Sequence, residues 1–196
     1  MIRSTSGSER PMQDIDSDQE AVMAVLDPYL GRMEPMFHGA LALHLSEVTP
    51  KARAELGVRA VASAVSDHAW AAFEREFDAE LGFHFLTVRG LRVLNIRDQV
   101  VVRLKKVDAN GKHQNADTAQ QRAFDAQADI PDIPPAAARV VLGYQPDEAF
   151  SVVERVIVRR PKGRWVSQVI DGDTDRHWID ITPAELPFVV RKAKQA

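Results

Sequence analysis

The stretch from residue 81 to residue 107 constrains the fold of this chain most, because it predicts three consecutive β-strands that carry many cations. The expected strands cover residues 83–88, 91–96 and 100–107, and each is rich in β-branched and aromatic side chains. Arg89-Gly90 and Arg97-Asp98 are short polar pairs between these runs, so each pair predicts a tight reversal. The pattern therefore indicates an antiparallel sheet.

The third of these strands has two chemically different faces. Successive side chains of a pleated strand point to opposite sides. Val100, Val102 and Leu104 therefore line one side, and the other side carries Val101, Arg103 and Lys105. One face is apolar and the other is half cationic, which favours a sheet with a basic surface facing something acidic.

Composition and length favour one ordinary globular domain. The chain has 196 residues, of which 45% are hydrophobic and 27% charged. It contains no cysteine, which excludes disulfides, thiolate metal sites and a cysteine nucleophile. The first residues lack the apolar core of a secretory signal. The chain also contains no run of about 18 apolar residues, the length needed to cross a bilayer. We therefore expect a cytoplasmic protein.

Charge is distributed unevenly along the chain. The formal net charge is −3, which argues against a protein that grips nucleic acid over its whole surface. Between residues 81 and 112, however, seven cations stand against two anions, a local excess of five positive charges. The balancing acids lie mainly in the helical half, so the molecule is expected to be two-sided.

The fold class predicted from these patterns is α+β: an N-terminal helical layer of two to three helices packed on a mostly antiparallel sheet of about six strands. Residues 1–16 are expected to be a disordered tail, and residues 17–196 a single domain, with a helical part at 17–78 and a sheet part at 81–170. A first helix is predicted from a cap at Ser17 or Asp18 to an interruption at Asp27-Pro28, followed by a second. Thr49-Pro50 predicts the start of a long helix that bends at Gly57 and ends near Phe77.

The second half of the chain predicts one short helix and three more strands. The helix is expected near residues 117–127, and the strands at 139–143, 150–159 and 165–170, with a hairpin turn at residues 161–163. Residues 188–196 predict a short basic helix or a tail.

The basic sheet face supplies the leading functional hypothesis. Cations on separate strands of one sheet could together follow a phosphate backbone. The alternative is a solvated face with no partner, since antiparallel sheets commonly leave one side wet. The candidate binding residues are Arg92, Arg103, Lys105, Lys106, Arg155, Arg159 and Arg160. They predict a non-catalytic bacterial or phage-type accessory protein that binds an acidic macromolecule, namely nucleic acid.

A second hypothesis is an interaction protein, such as the toxin of a toxin–antitoxin pair. Gln120 and Phe124 have the spacing of part of a bacterial sliding-clamp-binding peptide, in which an aromatic ring fills a pocket and the glutamine bonds to its rim. The expected partner would be a replication or translation component, or an antitoxin.

The order helix, three strands, helix, strand resembles the core of the PD-(D/E)XK nuclease fold. That resemblance implies a third hypothesis, a divergent metal-dependent nuclease using Asp98, Glu154 and Lys105. The third strand has Arg103 where such enzymes carry a metal-binding glutamate, and a fixed positive charge would repel the ion.

No cofactor or metal site is predicted. The segment Asp171-Gly-Asp-Thr-Asp175 is similar to the first half of a calcium loop, but Arg176 and Thr182 stand where the full loop needs glycine and glutamate. The chain also has no Gly-x-Ser-x-Gly, Walker or Gly-x-Gly-x-x-Gly motif. Whether it catalyses a reaction stays open, and the patterns favour a protein that does not.

Overall fold

The computed structural model describes residues 15–113, 118–161, 165–170 and 176–183. Four sequence-based predictions concern residues outside these ranges, wholly or in large part. They are the N-terminal tail, the turn at 161–163, the acidic segment at 171–175 and the C-terminal segment at 188–196.

The N-terminal layer contains three helices: α1 (Ile15–Glu47), α2 (Pro50–Glu55) and α3 (Val58–Phe77). The expected interruption at Asp27-Pro28 is wrong, because α1 runs without a break through Pro28 and Pro35. A proline inside a helix costs about 3 kcal/mol. Both prolines lie on the exposed side, while the apolar stripe of α1 is buried before, between and after them. Burial of that stripe offsets the lost hydrogen bonds.

The break between α2 and α3 lies where the sequence predicts a bend. Thr49 caps α2, since its hydroxyl oxygen accepts a hydrogen bond from the Ala52 amide at 3.3 Å. Leu56 and Gly57 then have extended backbone, so the segment forms two helices. Phe73 and Phe77 of α3 are fully buried against α1 and the sheet.

All the strands in the described residues belong to one sheet, ordered as they occur in the chain. The seven strands are β1 (Phe83–Val88), β2 (Leu91–Ile96), β3 (Val100–Lys106), β4 (Ala138–Pro146), β5 (Val153–Arg159), β6 (Val166–Val169) and β7 (Trp178–Asp180). Five of the six pairings are antiparallel, and β3 pairs with β4 in parallel. The predicted fold class is confirmed, with β7 as one strand more than expected.

The parallel pair requires the chain to cross from the end of β3 back to the start of β4. This crossover comprises residues 107–137 and carries a short helix, α4 (Ala119–Asp125). Its apolar residues Val107, Phe124, Ile130 and Ile133 pack on the sheet face opposite to α1 and α3. The central strands are therefore buried on both faces. This second covering layer decides the environment of the predicted basic surface.

Candidate functional site

The strand register shows which of the predicted binding residues share a face. Arg103 of β3 lies opposite Val141 of β4, and Val141 lies opposite Arg159 of β5. Directly paired residues point to the same side of a sheet. Lys105 lies two residues after Arg103, and Arg155 lies four residues before Arg159, so each points to the same side as its strand neighbour. All four cations therefore lie on the face that the crossover covers.

The other three predicted binding residues, Arg92, Lys106 and Arg160, lie on the opposite face. Arg92 donates to Asp67 of α3 at 2.6 Å, and Arg160 forms an ion pair with Asp18 of α1. The Lys106 ammonium lies 5.2 Å from the centre of the Phe150 ring. The seven candidate residues therefore do not share one face. Lys106 and Arg160 directly follow Lys105 and Arg159, and neighbouring strand residues alternate between faces.

The crossover also engages the cations that remain on its own face. Arg155 donates to Gln145 Oε1 at 2.7 Å and to the carbonyl of Ala109. Arg159 donates to the carbonyl of Asn110 at 3.4 Å. These guanidinium groups hold the first part of the crossover on the sheet, and they do not form an open basic strip.

Arg103 is the most buried of these cations, with 8% of its surface exposed. It donates a hydrogen bond to Gln121 of α4, and its guanidinium carbon lies 5.3 Å from the centre of the Phe124 ring. Its Nε has no hydrogen-bond partner. Among the described residues, no carboxylate lies within ion-pair distance of Arg103. The group is therefore a buried cation with a neutral amide as its polar partner.

A pocket of about 190 Å³ lies beside Arg103, between the β1–β2 turn, β3 and α4. We call it the α4 pocket. It is lined by Arg89, Gly90, Leu91, Arg103, Lys105, Thr118, Gln120 and Gln121. Arg89 and Gly90 both have positive φ, 49° and 81°, as in the two-residue turns that match the twist of a hairpin. The turn thus brings a third cation, Arg89, to the pocket formed beside Arg103 and Lys105.

Burial shifts the acid–base behaviour of the groups beside the α4 pocket. It lowers the pKa of Lys105 to about 8, helped by repulsion from Arg103 and opposed by Asp125. It also lowers the pKa of Arg103 to about 10, again opposed by Asp125. When burial destabilises the charged form of a group, a nearby opposite charge stabilises that form. The pocket is therefore suited chemically to an anion.

Asp125 is the carboxylate that opposes these cations, and it is partly engaged elsewhere. Its Oδ1 accepts a hydrogen bond from Gln121 Nε2 at 2.7 Å and lies 3.8 Å from His113 Nε2. Burial lowers the pKa of His113 to about 4, so this imidazole is neutral near pH 7. The carboxylate of Asp125 thus acts on two cations, the buried Arg103 and the half-buried Lys105.

The two residues of the sliding-clamp-like pattern have different environments. Gln120 lines the α4 pocket, whereas Phe124 is fully buried in the core under the crossover, with the Arg103 guanidinium over its ring. In this fold the phenyl ring is not available to fill a pocket on a partner.

The residues of the nuclease hypothesis are not brought together. Asp98 lies in the β2–β3 turn, where it accepts a hydrogen bond from Asn95 at 2.6 Å. Lys105 lies at the far end of β3, roughly 20 Å away at the rise of an extended strand. Glu154 lies at an irregularity in the β4–β5 pairing, where its carboxylate accepts a hydrogen bond from Gln145 Nε2 at 2.6 Å. Within the described residues, no three His, Asp or Glu side chains are grouped as metal ligands would be.

Several residues of the site were not identified from the sequence: Arg89, Thr118, Gln121, His113 and Asp125. Arg89 could have been identified from the sequence, because the turn that contains it was predicted next to a cationic strand. The other four come from the crossover, and strand alternation says nothing about which segment covers a face. Arg139, which is 1% exposed and donates to the carbonyl of Ala128, was missed for the same reason.

In the part of the chain that the structure describes, no helix combines the length and apolarity needed to cross a membrane. No protein-family model matches this chain, and neither the curated proteins nor the solved structures contain a significant match to it.

Proposed function

We propose that this protein is a non-catalytic accessory protein, of bacterial or phage type and cytoplasmic, that binds nucleic acid through the α4 pocket. The observation that carries the proposal is the convergence of Arg89, Arg103 and Lys105 around one cavity, with Asp125 as the nearby carboxylate. Cationic side chains that meet phosphate oxygens supply most of the affinity of proteins for nucleic acids.

The contact is expected to involve few phosphates. Arg155 and Arg159 already donate to carbonyls of the crossover, and Arg92 and Arg160 are paired with carboxylates on the other face. Each phosphate neutralised on a single strand contributes about −0.7 to the slope of log affinity against log salt. Two or three phosphates therefore predict a slope of about −1.4 to −2.1.

Adjacent lysines on β3 allow a matched test of the site. Lys105 lines the α4 pocket, and Lys106 lies on the opposite face beside Phe150. Fluorescence anisotropy with a labelled single-stranded oligonucleotide at low salt measures the affinity. We expect Lys105→Glu to weaken binding at least tenfold, the effect of about 1.4 kcal/mol. Lys106→Glu changes the net charge equally and should leave the affinity within about twofold of wild type.

Two outcomes would contradict the proposal. One is undetectable binding of DNA and RNA at low salt. The other is an equal loss of affinity in the two variants, because that would reflect overall charge and not a site.

A further inference from the structure

The size of the α4 pocket limits what it can hold. Pockets for drug-sized ligands begin at roughly 300 Å³. The α4 pocket measures about 190 Å³, below that range, so a phosphate group fits inside it and the rest of a nucleic acid extends outside. An internal phosphodiester has a nucleoside on each side and needs a groove open at two ends. A terminal phosphate needs a single opening.

The charge beside the pocket is better matched by a monoester than by a diester. A phosphate monoester carries about −1.5 to −2 at pH 7 and has three acceptor oxygens. Arg103 is buried without a counter-ion among the described residues, and its Nε has no partner. A buried charge is costly unless it is paired. A dianion would supply opposite charge to Arg103 and the half-buried Lys105 in addition to that of Asp125.

Neutral donors complete the lining. Thr118 Oγ1 accepts a hydrogen bond from the Gln121 amide at 3.2 Å, and its hydroxyl proton can be donated elsewhere. The Gln120 side chain offers an amide group with two further donors. Phosphate oxygens accept such bonds, and the combination of guanidinium, ammonium and hydroxyl is typical of sites that recognise phosphate geometry.

We propose that the α4 pocket is a receptor for a terminal phosphate monoester, and, resting on the proposed function, that the protein recognises a phosphorylated end of a nucleic-acid strand. The chemistry is the same for a 5′ or a 3′ end, and the two sources are separated by the choice of probe. The phosphorylated end enters the pocket, and the following nucleotides lie outside it near Arg89, which is exposed.

The test uses the full-length protein and three oligonucleotides of one sequence: with a 5′-phosphate, with a 3′-phosphate, and with hydroxyls at both ends. Affinities are measured by anisotropy, with inorganic phosphate as a competitor. We expect one phosphorylated form to bind about tenfold more tightly than the hydroxyl form. Inorganic phosphate should remove this difference. Lys105→Gln should reduce the preference, and Lys106→Gln should preserve it.

The possible results distinguish this inference from the proposed function. Equal affinity for all three oligonucleotides, without competition by inorganic phosphate, overturns the terminal-phosphate inference and leaves nucleic-acid binding standing. If no oligonucleotide binds, but inorganic phosphate raises the melting temperature of wild type and not of Lys105→Gln, the proposed function fails. The pocket is then a receptor for a small phosphate monoester. Absence of both effects overturns both proposals.

Discussion

Lys105 and Lys106 are adjacent in the chain and have different surroundings. Lys105 is half-buried beside Arg103 and the α4 pocket, and burial lowers its pKa to about 8. Lys106 contacts the ring of Phe150 on the other face of the sheet. The same residue type thus serves as a titratable group on one side and as a cation over an aromatic ring on the other.

The Lys105 pKa predicts how phosphate binding depends on pH. Below about pH 8 the ammonium is charged and attracts the ligand, and above it the charge is lost while the phosphate stays dianionic. A bound anion raises the pKa of Lys105, so the midpoint lies at or above 8. Affinity for a phosphorylated end should therefore fall about tenfold as the pH rises through this range.

Isothermal titration or anisotropy across this pH range measures the effect. The other charged or titratable groups here are Arg89, Arg103, Asp125 and His113. The pKa values of Arg103 and His113, about 10 and about 4, lie above and below that of Lys105. Lys105→Arg keeps a permanent charge and should give a flat profile. A profile that falls equally in this variant would assign the titration to another group.

His113 predicts sensitivity of the fold to acid. Its pKa is about 4 in the folded protein because of burial, against an ordinary value of 6.5. Asp125 opposes this shift, while Arg103, Lys105 and Arg159 add to it. As the pH falls from about 6.5 to about 4, the unfolded chain binds a proton that the folded chain does not, so the free energy of unfolding falls.

Removing this imidazole should therefore reduce the acid sensitivity. Between pH 7 and pH 4, wild type should lose up to about 3 kcal/mol more unfolding free energy than His113→Gln. Urea denaturation at both pH values measures the difference. Equal losses in the two proteins would show that the histidine is protonated without penalty.

The first residue of the crossover, Val107, packs very close to β4. This close approach is possible because β4 has a glycine, Gly143, at the point of contact. A Cβ atom at Gly143 would lie 2.5 Å from Val107 Cγ1. Because Val107 is buried in the core under the crossover, it has little room to move. Gly143→Ala should lower the free energy of unfolding by about 1–3 kcal/mol.

Gly39 of α1 is the matched control for this substitution. A Cβ atom there meets nothing within 4 Å, and the residue is exposed inside the helix. Gly39→Ala should raise the free energy of unfolding by about 0.5–1 kcal/mol, because alanine favours the helix. Thermal denaturation of both variants gives the comparison, and a stabilising Gly143→Ala would contradict the packing described for the crossover.

The elements could be predicted from the sequence where local patterns are strong. β1 and β2 begin and end where alternation and the Arg89-Gly90 turn predict. α1 was predicted to break, because proline is a strong local signal and the burial that offsets it comes from tertiary packing. β7 has three residues, too few for a periodic pattern. The candidate site was predicted in part: Arg103 and Lys105 were identified, but their covering by α4 depends on how the crossover docks.

The two layers that cover the sheet differ in size. Among the described residues, thirty buried hydrophobic side chains form the core beneath α1 and α3, and twelve form the core beneath the crossover. Local opening requires less free energy where fewer apolar contacts are broken. The crossover is therefore expected to open without unfolding the rest of the molecule.

Hydrogen exchange should report this difference. Backbone amides of α4, such as that of Arg122, should exchange through an opening that costs several kcal/mol less than the opening of β4. Inorganic phosphate bound in the α4 pocket should slow exchange in α4 and leave β4 nearly unchanged. Equal protection in α4 and β4 would indicate one cooperative unit.

The order of the strands also has a consequence for how the chain acquires its fold during synthesis. Each strand pairs with the one made before it, so the sheet can grow stepwise as the chain emerges. The first helix cannot complete its contacts in this way, because Gln19 donates to Ser167 of β6, 148 residues later. α1, which is made before the sheet, is thus among the last elements to be fully docked, and the part of its surface that faces β6 stays uncovered until β6 is made.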